Sequence, residues 1–345
     1  MPSADQLTER ERRVLEAVIQ TYIETAEPAG SQTISRRFPL GLSPASIRST
    51  MSDLEAKGYL FHTHASAGRI PTDLAYRVYV NQLMRLAPPS DLDRETLRRE
   101  VREGRSAIEE ILRRAAQVLG VLTHELGVAV SPRLGQVVLE RLDLVPVATE
   151  RLLMVFHLRS GAVRTIFVQI PATVAPGTVQ QVARLLNERL AGLTLRDIRA
   201  SLVDRLRDVG ATGEGSVLVN IFIAEGEEIF DFAMEPEGVV LGSAEMLADQ
   251  PEFASNERMR DLLSLTERRD LLKEALGARP TTGLSISIGS EHDDPRLADF
   301  TLVTSAYRLG DLSGVIGVIG PTRMPYDKII GLVQHTSRLV EGLVE

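Results

Sequence analysis

The hydrophobic period of this chain changes near Leu134, and that change constrains the fold more than any other feature. Before it, apolar residues recur every three to four positions, which is typical of amphipathic helices. After it, the segments 136–144, 151–158 and 162–170 are apolar runs joined by short polar turns, which predicts three consecutive strands. At 345 residues the chain is long enough for two or three domains. The pattern therefore predicts a multidomain α+β protein.

The N-terminal residues predict a compact set of three helices. Thr8 and Glu11 have the spacing of a capping box that opens a helix of about 17 residues. A short second helix is expected over 31–38, followed by a tight turn that contains glycine. Ser43-Pro44 supplies an N-cap with proline at the first helical position, and Gly58 marks the end of this third helix. Two short helices joined in this way indicate a helix-turn-helix arrangement.

The third helix has the composition of a helix that reads DNA. Ile47, Met51 and Leu54 recur at i, i+4 and i+7 and predict its buried stripe. Small polar side chains around one arginine cover the opposite face, which suits insertion into the major groove. A solvated helix face is the alternative, although such faces usually carry more Glu and Lys. The predicted DNA-contacting residues of this helix are Ser43, Ala45, Ser46, Arg48, Ser49 and Ser52.

A small hairpin is predicted directly after the third helix. Residues 59–64 alternate like a strand, residues 65–68 are a small flexible tip, and Arg69 lies on the returning strand. Together with a further helix over 74–86, these elements predict a winged-helix DNA-binding domain in residues 1–87. Arg69 is predicted to contact a phosphate or the minor groove.

Charge is distributed unevenly along the chain. The whole sequence has a formal net charge of −8, but residues 31–85 contain seven basic and three acidic side chains. A mildly basic module in front of an acidic body suits a DNA-binding regulator. A charge imbalance of this size over a short segment is also common by chance.

The rest of the chain predicts one α+β domain that carries an insertion. A proline-rich hinge at 87–91 precedes a long helical pattern over 91–125. Six strands separated by a long gap are assigned to a single domain of residues 91–195 and 276–345. The gap, residues 196–275, is assigned to a separate inserted α+β domain. In the C-terminal part, the sequence predicts strands at 284–288, 300–308 and 313–320 and a helix at 326–343. Inside the insertion, it predicts a strand at 217–223.

The sequence offers little that points to catalysis. The chain has no cysteine, which excludes disulfides and thiol chemistry, and it has no phosphate-binding loop or metalloprotease motif. His62 and His64 lack a nearby third metal ligand, and the acidic cluster at 225–237 lacks calcium-loop spacing. We therefore expect no enzyme activity, metal or other cofactor. No apolar run is long enough to span a bilayer, and we expect a cytoplasmic protein without membrane contact.

Several sequence blocks resemble the HrcA-type heat-inducible transcription repressors. The N-terminal blocks are EPAGS (27–31), ASIR (45–48), SAGRIPT (66–72) and YRVYV (76–80), and the C-terminal block is IGVIGPTRMPYDKII (316–330). These blocks lie at both ends of the chain and in the family's order. One departure concerns the base contacts, because Ser49-Thr50 follow Arg48 where the family usually has Asn-Asp.

The resemblance implies a specific architecture and function. It implies a GAF-like domain interrupted by an inserted dimerisation domain, and a homodimer that binds an inverted-repeat operator in double-stranded DNA. It also implies that the operator controls chaperone genes, that repression is lost on heat stress, and that a GroEL-type chaperonin supports repression. The alternative is a small-ligand-sensing winged-helix regulator that acts through its GAF-like domain.

Overall fold

The structure is a computed structural model. In the N-terminal part it describes residues 7–64 and 68–84, which we call the head. Its elements follow the predicted order of three helices, a hairpin and a further helix. The helix α4 continues into a π-helical turn at Tyr79–Leu83. The elements are α1 Glu9–Thr25, α2 Ser31–Arg37, α3 Pro44–Ala56, β1 Leu60–Phe61, β2 Ile70–Pro71 and α4 Asp73–Val78.

Local sequence signals set the ends of the head helices as predicted. The Thr8 side chain accepts a hydrogen bond from the Glu11 N–H, and the Glu11 carboxylate accepts one from the Thr8 N–H, so the capping box is complete. Ser43 caps α3. Gly58 follows α3 with φ +80°, in the left-handed region that favours glycine.

The body, residues 85–342, holds the remaining elements. Outside the head, the structure describes 85–102, 108–132, 134–159, 161, 163–171, 174–207, 215–234, 238–280, 282–309 and 312–342. The helices are α5 Asp91–Arg102, α6 Ile108–Thr123, α7 Pro176–Leu190, α8 Leu195–Leu206, α9 Ser216–Met234, α10 Glu245–Ala248, α11 Asn256–Glu267, α12 Arg269–Gly277 and α13 Tyr326–Glu341. The strands are β3 Leu126–Val130, β4 Leu139–Ala148, β5 Arg151–Leu158, β6 Val163–Gln169, β7 Val239–Leu241, β8 Leu284–Ile288, β9 Phe300–Leu309 and β10 Leu312–Pro321.

A five-stranded antiparallel sheet forms the centre of the body, in the order β7-β3-β10-β9-β8. Helices α6 and α13 pack on one face, and α12 packs on the other. Each face of the sheet has its own hydrophobic core, and successive side chains of β3 point to opposite faces. Val128 and Val130 are buried in the core with α11 and α12, and Ala129 is buried in the core with α6 and α13. The predicted C-terminal strands and the final helix are all present.

The single helix predicted over 91–125 is wrong, because α5 and α6 are two helices that pack against each other and against α13. Leu97 and Val101 of α5 and Leu112 and Leu119 of α6 are fully buried. A single straight helix of this length would leave one half of its apolar stripe without a partner. Two packed helices bury both halves in one core.

The strand predicted at 217–223 is also wrong, since these residues open the helix α9. The run is apolar at almost every position, and such a run has the same appearance in a buried strand and in a buried helix. Leu218, Val219 and Phe222 are buried, and the helix packs on α8 and on β6.

The sheets divide the body differently from the predicted boundaries. Strands β4, β5 and β6 pair with one another in a separate sheet instead of joining the C-terminal strands. The helices α7, α8 and α9 pack with this sheet, so we call residues 134–234 the insert. Strand β7 returns to the central sheet beside β3, which excludes 196–275 as a separate domain. The division fails because the three early strands have the same local pattern in either sheet.

None of the described helices combines the length and the apolar composition that a bilayer crossing requires.

Glycine allows α6 to approach β3 closely. A Cβ atom at Gly127 would lie 1.7 Å from the Ala116 carbonyl oxygen, which is backbone and has little freedom to move. At Gly177 in α7, by contrast, a Cβ atom would meet nothing within 4 Å.

We expect Gly127→Ala to destabilise the protein by about 3 kcal/mol or more, because overpacking against a fixed backbone forces the helix off the sheet. Gly177→Ala is the matched control and should leave the stability unchanged or raise it by less than about 0.5 kcal/mol, since it adds no clash and alanine is the better helix former. Urea denaturation of both variants measures the difference. Equal stability of Gly127→Ala and the wild type would contradict the close helix–sheet packing.

Candidate nucleic-acid interface

Helix α3 presents the predicted exposed face at the surface of the head. Ile47, Met51 and Leu54 are buried, as the sequence period predicts. The side chains of the opposite face are exposed, apart from Ser46, which is half-buried. The exposed members of the predicted set on this helix are Ser43, Ala45, Arg48, Ser49 and Ser52.

Some serine hydroxyls of this face form hydrogen bonds within α3, and one does not. The Ser43 Oγ accepts a hydrogen bond from the Ser46 N–H at 3.1 Å and donates one to the Ser46 Oγ at 3.1 Å. The Ser52 Oγ donates to the Arg48 carbonyl oxygen at 3.2 Å. Within the described residues, the Arg48 guanidinium and the Ser49 hydroxyl make no hydrogen bond or ion pair. Arg48 and Ser49 therefore have side-chain donors free for a ligand, whereas Ser43 mainly holds the helix end.

Two arginines of α1 extend this basic surface, and the sequence reasoning missed them. The Arg10 Nη2 donates to the Ser46 carbonyl oxygen at 2.8 Å, and the Arg13 Nη2 donates to the Pro39 carbonyl oxygen at 3.3 Å. Both side chains are exposed, Arg10 beside the first turn of α3 and Arg13 beside the turn between α2 and α3. Their i, i+3 spacing, opposite the apolar stripe of α1, is the signal that would have placed them on one face.

Arg69 does not lie with the exposed residues of α3. Its backbone forms a β-bridge with Ala29, with N–H to carbonyl distances of 2.9 Å in both directions. The Arg69 Nη2 lies 2.8 Å from the Glu55 Oε2, and only 15% of the Arg69 side chain is exposed. The structure thus places Arg69 at the base of the hairpin, where it joins the hairpin to α3.

A half-buried ion pair fixes α3 against α1. The Lys57 Nζ lies 2.7 Å from the Glu11 Oε1. Burial opposes ionisation of Glu11, but the hydrogen bonds from Lys57 and Thr8 outweigh it and lower the pKa of this carboxyl below its usual value. The carboxylate that completes the α1 cap therefore also orients α3.

The head is held on the body by a first set of contacts from α4. The Arg77 Nε donates to the Glu291 Oε1 at 2.7 Å, and the Arg77 Nη2 donates to the Ile286 carbonyl oxygen at 2.9 Å. The Asp73 Oδ2 accepts a hydrogen bond from the Ser290 N–H at 2.9 Å. These contacts tie α4 to the end of β8 and the turn that follows it.

A second set of contacts joins the end of α1 to the body through Arg323. The Arg323 Nη1 donates to the Ile23 carbonyl oxygen at 2.6 Å, and its Nη2 donates to the Glu252 Oε2 at 2.9 Å. The side chain of Arg323 is 13% exposed. Glu125 is buried nearby, where desolvation raises its pKa well above the usual value despite a hydrogen bond from Gln250 and the charge of Arg323.

The other candidate sites from the sequence do not form metal centres in the described residues. His62 pairs with Glu55. Asp231 of the acidic cluster pairs with Arg199, with the Arg199 Nη2 at 2.8 Å from the Asp231 Oδ2. Residues 235–237 of that cluster lie outside the described ranges. In the described part of the chain, no group of three or more metal-ligating side chains is present.

Comparisons with known proteins connect this architecture to one family. The model of the HrcA protein C terminal domain matches residues 109–330. The heat-inducible transcription repressor HrcA of Chlorobium phaeobacteroides (strain BS1) is 39% identical over 343 residues, which cover 95% of this chain and 96% of that protein. The HrcA of Chlorobium phaeovibrioides (strain DSM 265 / 1930) is 38% identical over 348 residues, with 96% and 95% covered.

A solved structure shares the fold. It is described as a hypothetical protein, and it superimposes with a TM-score of 0.60 at 22% identity, covering 98% of this chain and 99% of its own. The likeness in fold extends over the whole chain, and the sequence likeness to the repressors covers nearly all of it. The chain therefore belongs to the HrcA family of heat-inducible transcription repressors.

Proposed function

We propose that this protein represses chaperone genes as a homodimer, with each head acting as a winged helix on one half of an inverted-repeat operator. The observation that carries the proposal is the exposed face of α3, where Arg48 and Ser49 are free to contact a ligand and two arginines of α1 lie beside them. Repressors of this kind act in the cytoplasm and are not enzymes, so we propose no catalytic role.

Arg48 is the proposed base-reading residue. It lies in the second turn of α3, on the part of a recognition helix that enters the major groove. An arginine there pairs with the O6 and N7 atoms of guanine through two hydrogen bonds from a rigid planar group, whereas lysine offers a point charge on a flexible stem. Arg10 and Arg13 are placed to contact the phosphates at the edge of the groove, which raises affinity without regard to sequence.

We expect Arg48→Ala to weaken operator binding by about 1–3 kcal/mol, because a bidentate contact to a base is lost. Arg48→Lys is the matched control that keeps the charge, and it should preserve binding to scrambled DNA while losing part of the preference for the operator, since its contact to guanine is less rigid. Fluorescence anisotropy titrations on operator and scrambled duplexes at one salt concentration measure both. If Arg48→Ala lowers the affinity for both duplexes equally, Arg48 contacts only phosphate and does not read a base.

Arg69 remains a proposed phosphate contact, with a second role that its present partners support. Its ion pair with Glu55 and its bridge to Ala29 set the direction of the hairpin relative to α3. A phosphate at the base of the hairpin would compete with Glu55 for the same guanidinium. We thus propose that Arg69 both positions the hairpin and supplies its positive charge to the DNA.

Dimerisation is proposed to use the insert. Half of the large apolar side chains that are exposed in the described residues belong to this unit. On the outer face of its sheet, Val145, Leu153 and Phe167 lie opposite one another across the three strands. The side chain of Phe167 is 55% exposed, and the Arg151 guanidinium lies 4.1 Å from the centre of its ring. A second copy of the same face would cover this row in a two-fold interface.

We expect Phe167→Asp to produce monomers, because it places a charge in the apolar row, at its largest and most exposed side chain. Leu263→Asp is the matched control, since Leu263 is 52% exposed on α11 and lies outside the insert. Sedimentation velocity at micromolar concentration distinguishes the two states. A dimer that persists in Phe167→Asp would move the interface away from this sheet face.

Support by a GroEL-type chaperonin is proposed from the family resemblance. The head is joined to the body by the polar contacts of Arg77 and Arg323 and by the buried ring contact of Tyr76 with Tyr326. The proposal requires that the free-energy difference between aligned and misaligned heads across this junction is modest. Chaperonin that is occupied by unfolded proteins during heat stress would leave the repressor without help in reaching the aligned state.

Freshly refolded protein is therefore expected to bind its operator weakly and to gain about tenfold in apparent affinity when purified chaperonin is added. A tenfold gain corresponds to about 1.4 kcal/mol in the balance between competent and incompetent states. Gel-shift titrations with and without chaperonin measure it. Full-strength binding by the protein alone, unchanged by chaperonin, would contradict this part of the proposal.

A further inference from the structure

A cavity of about 340 Å³ lies in the body between α12, β8 and the two turns that follow β8. The repressor activity proposed above makes no use of it. Ligand sites in proteins commonly occupy about 300–1,000 Å³, so a cavity of this size suits a small molecule. The charged and polar residues that line it and bear on the argument are Glu274, Arg279, Ser285, Ser287, Glu291 and Asp293.

Arg279 is a half-buried cation that forms hydrogen bonds with two serine hydroxyls. Its Nη1 donates to the Ser285 Oγ at 3.1 Å and to the Ser287 Oγ at 2.6 Å. In the part of the chain that the structure describes, it forms no ion pair with a carboxylate. Partial burial of a guanidinium that makes no direct ion pair is costly, and an anionic group in direct contact with it would offset that cost.

The two serines make this position a pocket for an oxyanion. Ser285 and Ser287 alternate along β8, so their hydroxyls lie on the same face of the strand. Each hydroxyl accepts from Arg279 and still has its own proton to donate. Burial lowers the pKa of Arg279, and the charges of Asp293 and Glu291 oppose that shift without abolishing it.

Two carboxylates lining the same cavity are available for a cationic group. Glu274 and Asp293 form no ion pair with any residue in the described ranges. The other carboxylates of the lining are already engaged, since Glu291 pairs with Arg77 and Asp294 pairs with Arg296. The cavity thus offers one cation with two hydroxyl donors, and two separate acids.

We propose that this cavity binds a small zwitterion of amino-acid size. The carboxylate of the ligand accepts from the Arg279 guanidinium and from the hydroxyls of Ser285 and Ser287, and its ammonium group is attracted by Glu274 and Asp293. A phosphate or a simple carboxylate would satisfy Arg279 alone and would be repelled by the two acids. The size and the paired charges of the cavity select a ligand that carries both signs.

Isothermal titration calorimetry on the full chain tests the proposal with the twenty common L-amino acids as probes. We expect saturable binding of at least one of them. The carboxamide of that amino acid, which lacks the carboxylate, and its N-acetyl form, which lacks the ammonium, should each bind at least tenfold more weakly. Absence of binding by all twenty would overturn the proposal. Equal binding of the N-acetyl form or of inorganic phosphate would also overturn it, because the site would then recognise an anion alone.

Two variants assign the binding to this cavity. Arg279→Met should abolish it, and Ser287→Ala, which keeps the guanidinium, should weaken it several-fold. Arg258→Met is the matched control, since Arg258 pairs with Asp299 away from the cavity lining, and it should bind like the wild type. Thermal denaturation confirms that each variant is folded. Unchanged binding in folded Ser287→Ala and Arg279→Met would place the ligand elsewhere and refute the site.

Discussion

Arg323 is the largely buried side chain that joins the body to α1, the helix on which α3 packs. This arginine comes from the turn before α13, yet its guanidinium donates to the Ile23 carbonyl oxygen at the end of α1 and to Glu252 below it. Helix α1 is joined to α3 through the Lys57–Glu11 ion pair. The body is therefore connected to α3 in two steps, by Arg323 near the C-terminal end of α1 and by the Lys57–Glu11 ion pair near its N-terminal end. Because Arg323 is largely buried, these contacts are only weakly screened by solvent.

Much of the head could be predicted because its signals are local. The capping box at Thr8, the Ser43-Pro44 helix start and the glycine at 58 each act within a few residues, and the structure has all of them. The body is harder to predict because its strand pairing and helix packing depend on residues that are distant in the sequence. Nothing within 139–169 states which sheet the strands join, and the run at 217–223 has no period that separates helix from strand.

The candidate interface shows the same division. The exposed face of α3 followed from its own period, and Arg48 was found because it is the one large residue among small ones. Arg10 and Arg13 belong to another helix and come beside α3 only through packing. The sequence alone does not predict the partners of Arg69, because Glu55 and Ala29 lie 14 and 40 positions away along the chain.

The pairing of β3 with β7 has a consequence for how the chain assembles. More than a hundred residues separate Val130 from its partner Val239, and the two ends of that long excursion are one strand spacing apart. The excursion must close before the central sheet is complete, and contacts so distant in sequence form slowly. An insert that folds first shortens the loop that remains to be closed. During synthesis on a ribosome, the central sheet cannot be completed until its last strand, β10, has been made. Until then, the edge of β3 that pairs with β10 is open.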